Sequence, residues 1–119
     1  MTSIEELNSY GINLPDDFSD GVVICDIYTN WCGPCKILSP VLEKLASEGL
    51  IKLFKVDLEQ NRPLGERFSV HAIPTLLFFK EGKLIEESVI IDGEKAVENG
   101  KMVGNWGEKR IREVISKIG

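Results

Sequence analysis

The longest apolar run in the chain, Val22-Val23-Ile24-Cys25-Asp26-Ile27-Tyr28, is rich in β-branched residues and carries one charge, Asp26. Such a run predicts a central strand covered on both faces. Ile37, Leu38, Val41, Leu42 and Leu45 then recur at helical spacing. They predict a helix from about Cys32 to Ser47 that stops before Gly49 and bends at Pro40. Ile51–Asp57 and Thr75–Phe79 read as two more strands, and Pro63–Phe68 as a short helix with proline in its first turn. Glu81-Gly82 turns the chain back into an antiparallel strand over Lys83–Ile91. At the two ends, Ser3 with Glu6 forms a capping-box pattern opening a helix of about two turns. Asn105 with Glu108 opens a last helix that buries Ile111, Val114, Ile115 and Ile118.

Strand, helix, strand, helix, hairpin, helix is the order of an α/β fold. Its mixed sheet of four to five strands combines parallel crossovers with an antiparallel pair and carries helices on both faces. No repeat, low-complexity tract or linker interrupts the sequence, so residues 1–119 read as a single domain, long enough for one core. Between Ile91 and Gly104, Asp92-Gly93 and Asn99-Gly100 mark two turns around Glu94–Glu98. An added β-hairpin is the first expectation for this stretch, 92–103. A short helix over Glu94–Glu98 is the alternative, because Ala and Glu favour helix.

Charge and cysteine usage narrow the function. Fourteen basic and 19 acidic residues give a net charge of −5. No basic cluster stands out, which argues against nucleic acid or an anionic membrane as the main partner. Met1–Glu6 holds neither a basic region nor a hydrophobic signal segment, and no apolar run reaches spanning length, so a cytoplasmic protein is expected. Three cysteines do not make a disulfide framework, and a reducing compartment keeps any pair reduced unless it cycles. A close pair is then expected to be catalytic.

Trp31-Cys32-Gly33-Pro34-Cys35-Lys36 supplies that pair. Cysteines at i and i+3 on a helical turn lie on one face with Cβ atoms roughly 5–6 Å apart, near the separation a disulfide tolerates. A bare C-x-x-C also serves metal sites. Here it follows an apolar strand holding Asp26 and precedes Pro40, Ile73-Pro74-Thr75 and Gly104. With those features, the sequence from about Val22 to Gly119 resembles the thioredoxin family. The resemblance implies the thioredoxin fold and a protein-disulfide reductase needing no cofactor beyond its own redox-active disulfide. It also implies disulfide-bearing client proteins and a thioredoxin reductase as partners, with the chain itself a monomer. Gly33-Pro34, with no charge between the cysteines, resembles the reducing members, whose potential lies near about −270 mV. A binding module on the same fold, or an oxidase or isomerase, are the alternative readings.

Position then suggests roles. Cys32 sits where a strand runs out and a helix begins, so free amides and the helix dipole favour its thiolate as nucleophile. Cys35 lies a turn inside, is expected to be buried, and resolves the mixed disulfide. Asp26, desolvated in its strand, should have a raised pKa and act as acid and base for Cys35. The resemblance makes Ile73-Pro74 a cis-proline loop facing the cysteines, where the Ile73 backbone pairs with an extended substrate. Trp31, Gly33 and Pro34 complete an exposed apolar rim. Cys25 reads as a core thiol on the face opposite Asp26, and His71, without a His/Cys cluster of metal spacing around it, as no ligand. Lys36 reads equally as a source of positive potential near Cys32 or as a solvated first-turn lysine. Trp106 reads as a packing residue. Three departures from the family stand out. Ser3 already opens a helix where the family often has an extra strand, so the first strand is expected to be absent; Tyr28 stands where tryptophan is frequent; and Leu53 stands where bacterial members often carry a lysine near the buried acid. Without that cation Asp26 would hold its proton more firmly.

Overall fold

The computed structural model describes residues 2–119. Its strands are β1 (Val22–Tyr28), β2 (Lys52–Asp57), β3 (Thr75–Lys80), β4 (Lys83–Leu84), β5 (Val89–Ile91), β6 (Glu94–Val97) and β7 (Lys101–Val103). The helices are α1 (Gly33–Ser47), α2 (Arg62–Arg67) and α3 (Glu108–Ile118). In the main sheet β1 lies between β2, parallel to it, and β3, antiparallel; β4 and β7 both pair with β3. Burial on both faces, expected from the unbroken apolar run, is what β1 has. Val22 and Ile24 pack with Leu38, Leu42 and Leu45 of α1 and with Ile111, Val114 and Ile115 of α3. Val23, Cys25 and Ile27 pack on the other side with Ile4, Leu7, Leu64 and Phe68. Strand alternation puts Asp26 on the α1 side.

Both ends differ in detail from expectation. The N-terminal helix forms over Ile4–Tyr10 as a 3-10 helix, and Ser3 caps it by accepting from the Glu5 amide at 3.2 Å. Instead of a first strand, Ser3 makes one isolated bridge to Lys83, flanked by bonds from the Leu84 amide to the Thr2 carbonyl and from the Ile4 amide to the Gly82 carbonyl. That contact covers β4. The last helix starts at Glu108 rather than Asn105, because Gly107 has φ 86° and the Asn105 side chain instead accepts from the Gly107 amide at 3.0 Å. Such a backbone angle cannot continue a right-handed helix.

The expected antiparallel strand over Lys83–Ile91 is the largest correction. Pairing stops at Leu84; the Ile85 amide still donates to the Phe78 carbonyl, while the Phe78 amide donates to the Gly100 carbonyl. The chain therefore leaves the sheet edge beside Phe78 and rejoins it there as β7. In between, β5 and β6 form a separate two-stranded sheet around Asp92-Gly93. Both turns have positive φ at both central residues: 51° and 81° at Asp92 and Gly93, 53° and 79° at Asn99 and Gly100. These are the angles of type I′ turns, which match the twist of a hairpin. The hairpin expectation holds, and the helix alternative does not, because Val89, Ile91, Ala96 and Val97 gain burial in the α1/α3 core as strand residues.

The two turn glycines should respond differently to a methyl group. A Cβ on Gly93 meets nothing within 4 Å, whereas one on Gly100 falls 2.5 Å from Leu84 side-chain atoms. Gly93→Ala should cost about 1 kcal/mol from the left-handed backbone alone. Gly100→Ala should cost about 2–4 kcal/mol, since Leu84 must also move. Urea midpoints of the two variants check the difference.

Candidate active site

At the C-terminal end of β1 the chain turns through Thr29, Asn30 and Trp31 into α1, and Cys32 becomes the N-cap. A helix N-terminus leaves amides without carbonyl partners, and here the Cys35 amide donates to the Cys32 sulfur at 3.2 Å. Pro34 fits the first turn because it has no amide to satisfy. The two sulfurs lie at disulfide-bonding distance, with Cα atoms 5.3 Å apart, inside the range a disulfide requires. Cys35 is buried as expected, but Cys32 is equally so, each at 4% exposure. What separates them is direction: Cys32 takes the amide and the positive end of the helix dipole, while Cys35 lines a solvent-open cavity that reaches in to Asp26.

That cavity, about 200 Å³, is walled by Asp26, Thr29, Cys35, Lys36, Ser39 and Lys55 among others. Asp26 is 1% exposed, and its Oδ1, like the buried Thr29 Oγ1, has no hydrogen-bond partner among the described residues. Burial raises the Asp26 pKa to about 6, with the Lys55 charge pulling down and the Glu43 charge pushing up. A cation therefore does stand near the buried acid. It is Lys55, paired across the β1–β2 register from Asp26, and not a residue at position 53. Leu53 instead pairs with Ile24. Lys55 Nζ donates to Ser39 Oγ and to Glu43 Oε1, the latter at 3.0 Å. None of these three was singled out from the sequence; Ser39 and Glu43, four apart on one flank of α1, become meaningful only once the strand pairing places Lys55 above them. Cys25 is a buried free thiol packed on the opposite side, its pKa pushed well up by burial and then by the Asp26 charge.

Around the sulfurs, Trp31 is 69% exposed, and Gly33 and Pro34 are exposed on the first turn of α1. The Ile73–Pro74 peptide bond is cis, Pro74 is buried, and its carbonyl accepts from the Gly104 amide at 2.8 Å. Trp31 and Ile73 wall a second cavity of about 230 Å³ together with Thr29, Arg62 and His71. His71 is exposed there, and Lys36 is exposed beside the first cavity. Trp106 packs against the core, with its indole N–H on the Val103 carbonyl at 2.9 Å.

The raised Asp26 pKa fixes the sign of a pH dependence. An acid whose pKa is 3.8 unfolded and about 6 folded contributes fully below 3.8, and that contribution is lost as pH rises toward 6. Relative to an Asp26→Asn variant, the oxidised protein should lose about 3 kcal/mol of stability between about pH 4 and pH 7 and then level off. Urea titrations of both proteins across that range check it; a difference independent of pH would contradict the raised pKa.

A family model described as Thioredoxin matches residues 8–112. A thioredoxin from Chlamydia trachomatis is 46% identical over 78 residues, covering 65% of this chain and 76% of that protein. One from Staphylococcus saprophyticus is 35% identical over 107 residues, covering 88% of this chain and 89% of the other. Among solved structures, a thioredoxin mutant from Halobacterium salinarum superposes with TM-score 0.69 at 28% identity, covering 95% of this chain and 82% of its own. The Fasciola hepatica thioredoxin superposes at 0.65, also at 28% identity, covering 95% and 88%. Matched by the family model over most of its length and similar in sequence and fold to these proteins, the chain belongs to the thioredoxin family of thiol–disulfide oxidoreductases.

Proposed function

We propose that the protein is a cytoplasmic protein-disulfide reductase in which Cys32 is the nucleophile, Cys35 the resolving thiol and Asp26 the acid and base. One observation carries this reading: a sulfur that accepts an amide N–H at a helix N-terminus neighbours a second sulfur whose cavity also holds a buried carboxylate. The Cys32 thiolate attacks one sulfur of a client disulfide and expels the other as thiolate. The Asp26 carboxylate takes the S–H proton of Cys35. The Cys35 thiolate then attacks the Cys32 sulfur, the bond from Cys32 to the client breaks, and the client leaves as a thiolate. Two electrons have passed from the protein to the client, leaving the Cys32–Cys35 disulfide. A thioredoxin reductase returns two electrons and so restores the dithiol, with no cofactor on this chain beyond the disulfide itself.

Lowering a thiol pKa does only part of this work. A drop from about 8.5 to about 7 raises the thiolate fraction at pH 7 roughly 16-fold, and a Brønsted slope near 0.45 takes back about 5-fold in nucleophilicity. The net gain is about 3-fold. Positioning of the client must carry the larger share. Trp31, Gly33, Pro34, Ile73 and Pro74 are the residues that receive it. The exposed indole and the groove it forms with Ile73 suit an extended segment held through its backbone.

Two variants test the roles. Cys35→Ser should accumulate a covalent client adduct at Cys32, visible as added mass that dithiothreitol removes; no adduct would reject resolution by Cys35. Asp26→Asn should slow release of the mixed disulfide by roughly 10- to 100-fold at neutral pH while leaving its formation nearly unchanged. Equal slowing of both steps, measured by quenched mass spectrometry, would count against the base.

A further inference from the structure

The ammonium closest in register to the buried acid does not bond to it. Lys55 stands opposite Asp26 across β1 and β2 and lines the cavity that Asp26 shares with Cys35. Its hydrogen bonds nevertheless go to two α1 side chains, Ser39 Oγ and Glu43 Oε1. Asp26 Oδ1, meanwhile, has no hydrogen-bond partner among the described residues. The Glu43 side chain is 60% exposed and the Lys55 side chain 32%, so the pair stands toward the solvent side of the cavity. Ser39 lines the cavity itself.

We propose that Ser39 and Glu43 are positioning residues that anchor the Lys55 ammonium at the mouth of the cavity, off the Asp26 carboxylate, and thereby set how much positive charge the buried acid feels. The inference rests on the reading of Asp26 as the proton acceptor for Cys35. A lysine bonded directly to a buried carboxylate stabilises the ionised form so well that it becomes a poor base. A lysine held a short way off, with its charge shared by a second carboxylate, leaves the acid able to exchange a proton near neutral pH. Other groups facing Asp26 do not compete for this role. On α1, Cys35 is the proton donor and Lys36 is exposed to solvent. β3 brings Leu76 opposite Asp26, and α3 brings Ile111, Val114 and Ile115 to that face of the core, none of them charged. The opposing influences of Lys55 and Glu43 on Asp26 agree with this arrangement.

The test is the Asp26 titration midpoint, followed by carboxyl carbon-13 NMR in the oxidised full-length protein, with the pH profile of mixed-disulfide release measured in parallel. Glu43→Gln should free Lys55 and lower the Asp26 midpoint by about 0.5–1 on the pH scale. Ser39→Ala should lower it less, and Lys55→Met should raise it. In a Lys55→Met background, the effect of Glu43→Gln should shrink to the smaller part that the glutamate charge exerts on Asp26 directly, because the larger part acts through the lysine. An unmoved midpoint in Glu43→Gln overturns the proposal, and so does a shift of equal size with Lys55 absent. A midpoint that moves while the release profile stays fixed would reject Asp26 as the base and leave the anchoring of Lys55 standing.

Discussion

A carboxylate in the middle of a strand covered on both faces must be either neutralised or used. Asp26 sits at such a place in β1, and its burial costs stability whenever it is ionised. The surrounding structure keeps that loss moderate without cancelling it. Lys55 supplies a positive charge that lowers the Asp26 pKa, and its ammonium bonds Ser39 and Glu43 of α1, the second of which pushes that pKa up. Burial leaves the Asp26 pKa raised to about 6, closer to the range of a thiol than an exposed carboxylate would be.

The same strand delivers the sulfurs. Because β1 runs out at Tyr28 and α1 begins at Gly33, Cys32 lands on the one helix position whose side chain faces unpartnered amides, while Cys35 turns inward over Asp26. One structural decision, a fully buried strand feeding a helix through a short turn, thus sets the geometry of both thiols and of the acid. The sheet edge at β4 and β7 lies on the far side of β3 from β1, and touches the site only where β7 ends and the Gly104 amide donates to the Pro74 carbonyl. The excursion through β5 and β6 is placed there, and buries its own apolar residues against α1 and α3.

Legibility in the sequence followed the strength of the local signal. β1, α1, α2 and β3 fall within a residue or so of expectation, because each is fixed by a continuous apolar run, a helical repeat or a proline. The strand expected over Lys83–Ile91 breaks at the polar run Glu86-Glu87-Ser88 between two apolar stretches, and the shared pairing of Ile85 and Gly100 with Phe78 shows where it leaves the sheet. The start of α3 was misread because Asn105 caps a turn and not the helix itself. Within the site, the cysteines and Asp26 are visible in their motif. Lys55 was not, since the partner of a buried strand residue is fixed by inter-strand register, which no local pattern encodes. The resemblance to the family places the expected lysine at Leu53 and so implies that the cation is missing; the pairing puts Lys55 opposite Asp26.

Whether this arrangement gives electrons or takes them is settled by the midpoint potential of the Cys32/Cys35 couple. Equilibrating the purified protein against defined thiol/disulfide buffers, with Trp31 fluorescence and a thiol count as readouts, measures it directly. A reductase requires one reversible two-electron transition near about −270 mV. A transition at about −180 mV or above would make the protein an oxidant or isomerase, and would contradict the reading of its dithiol as the working reductant.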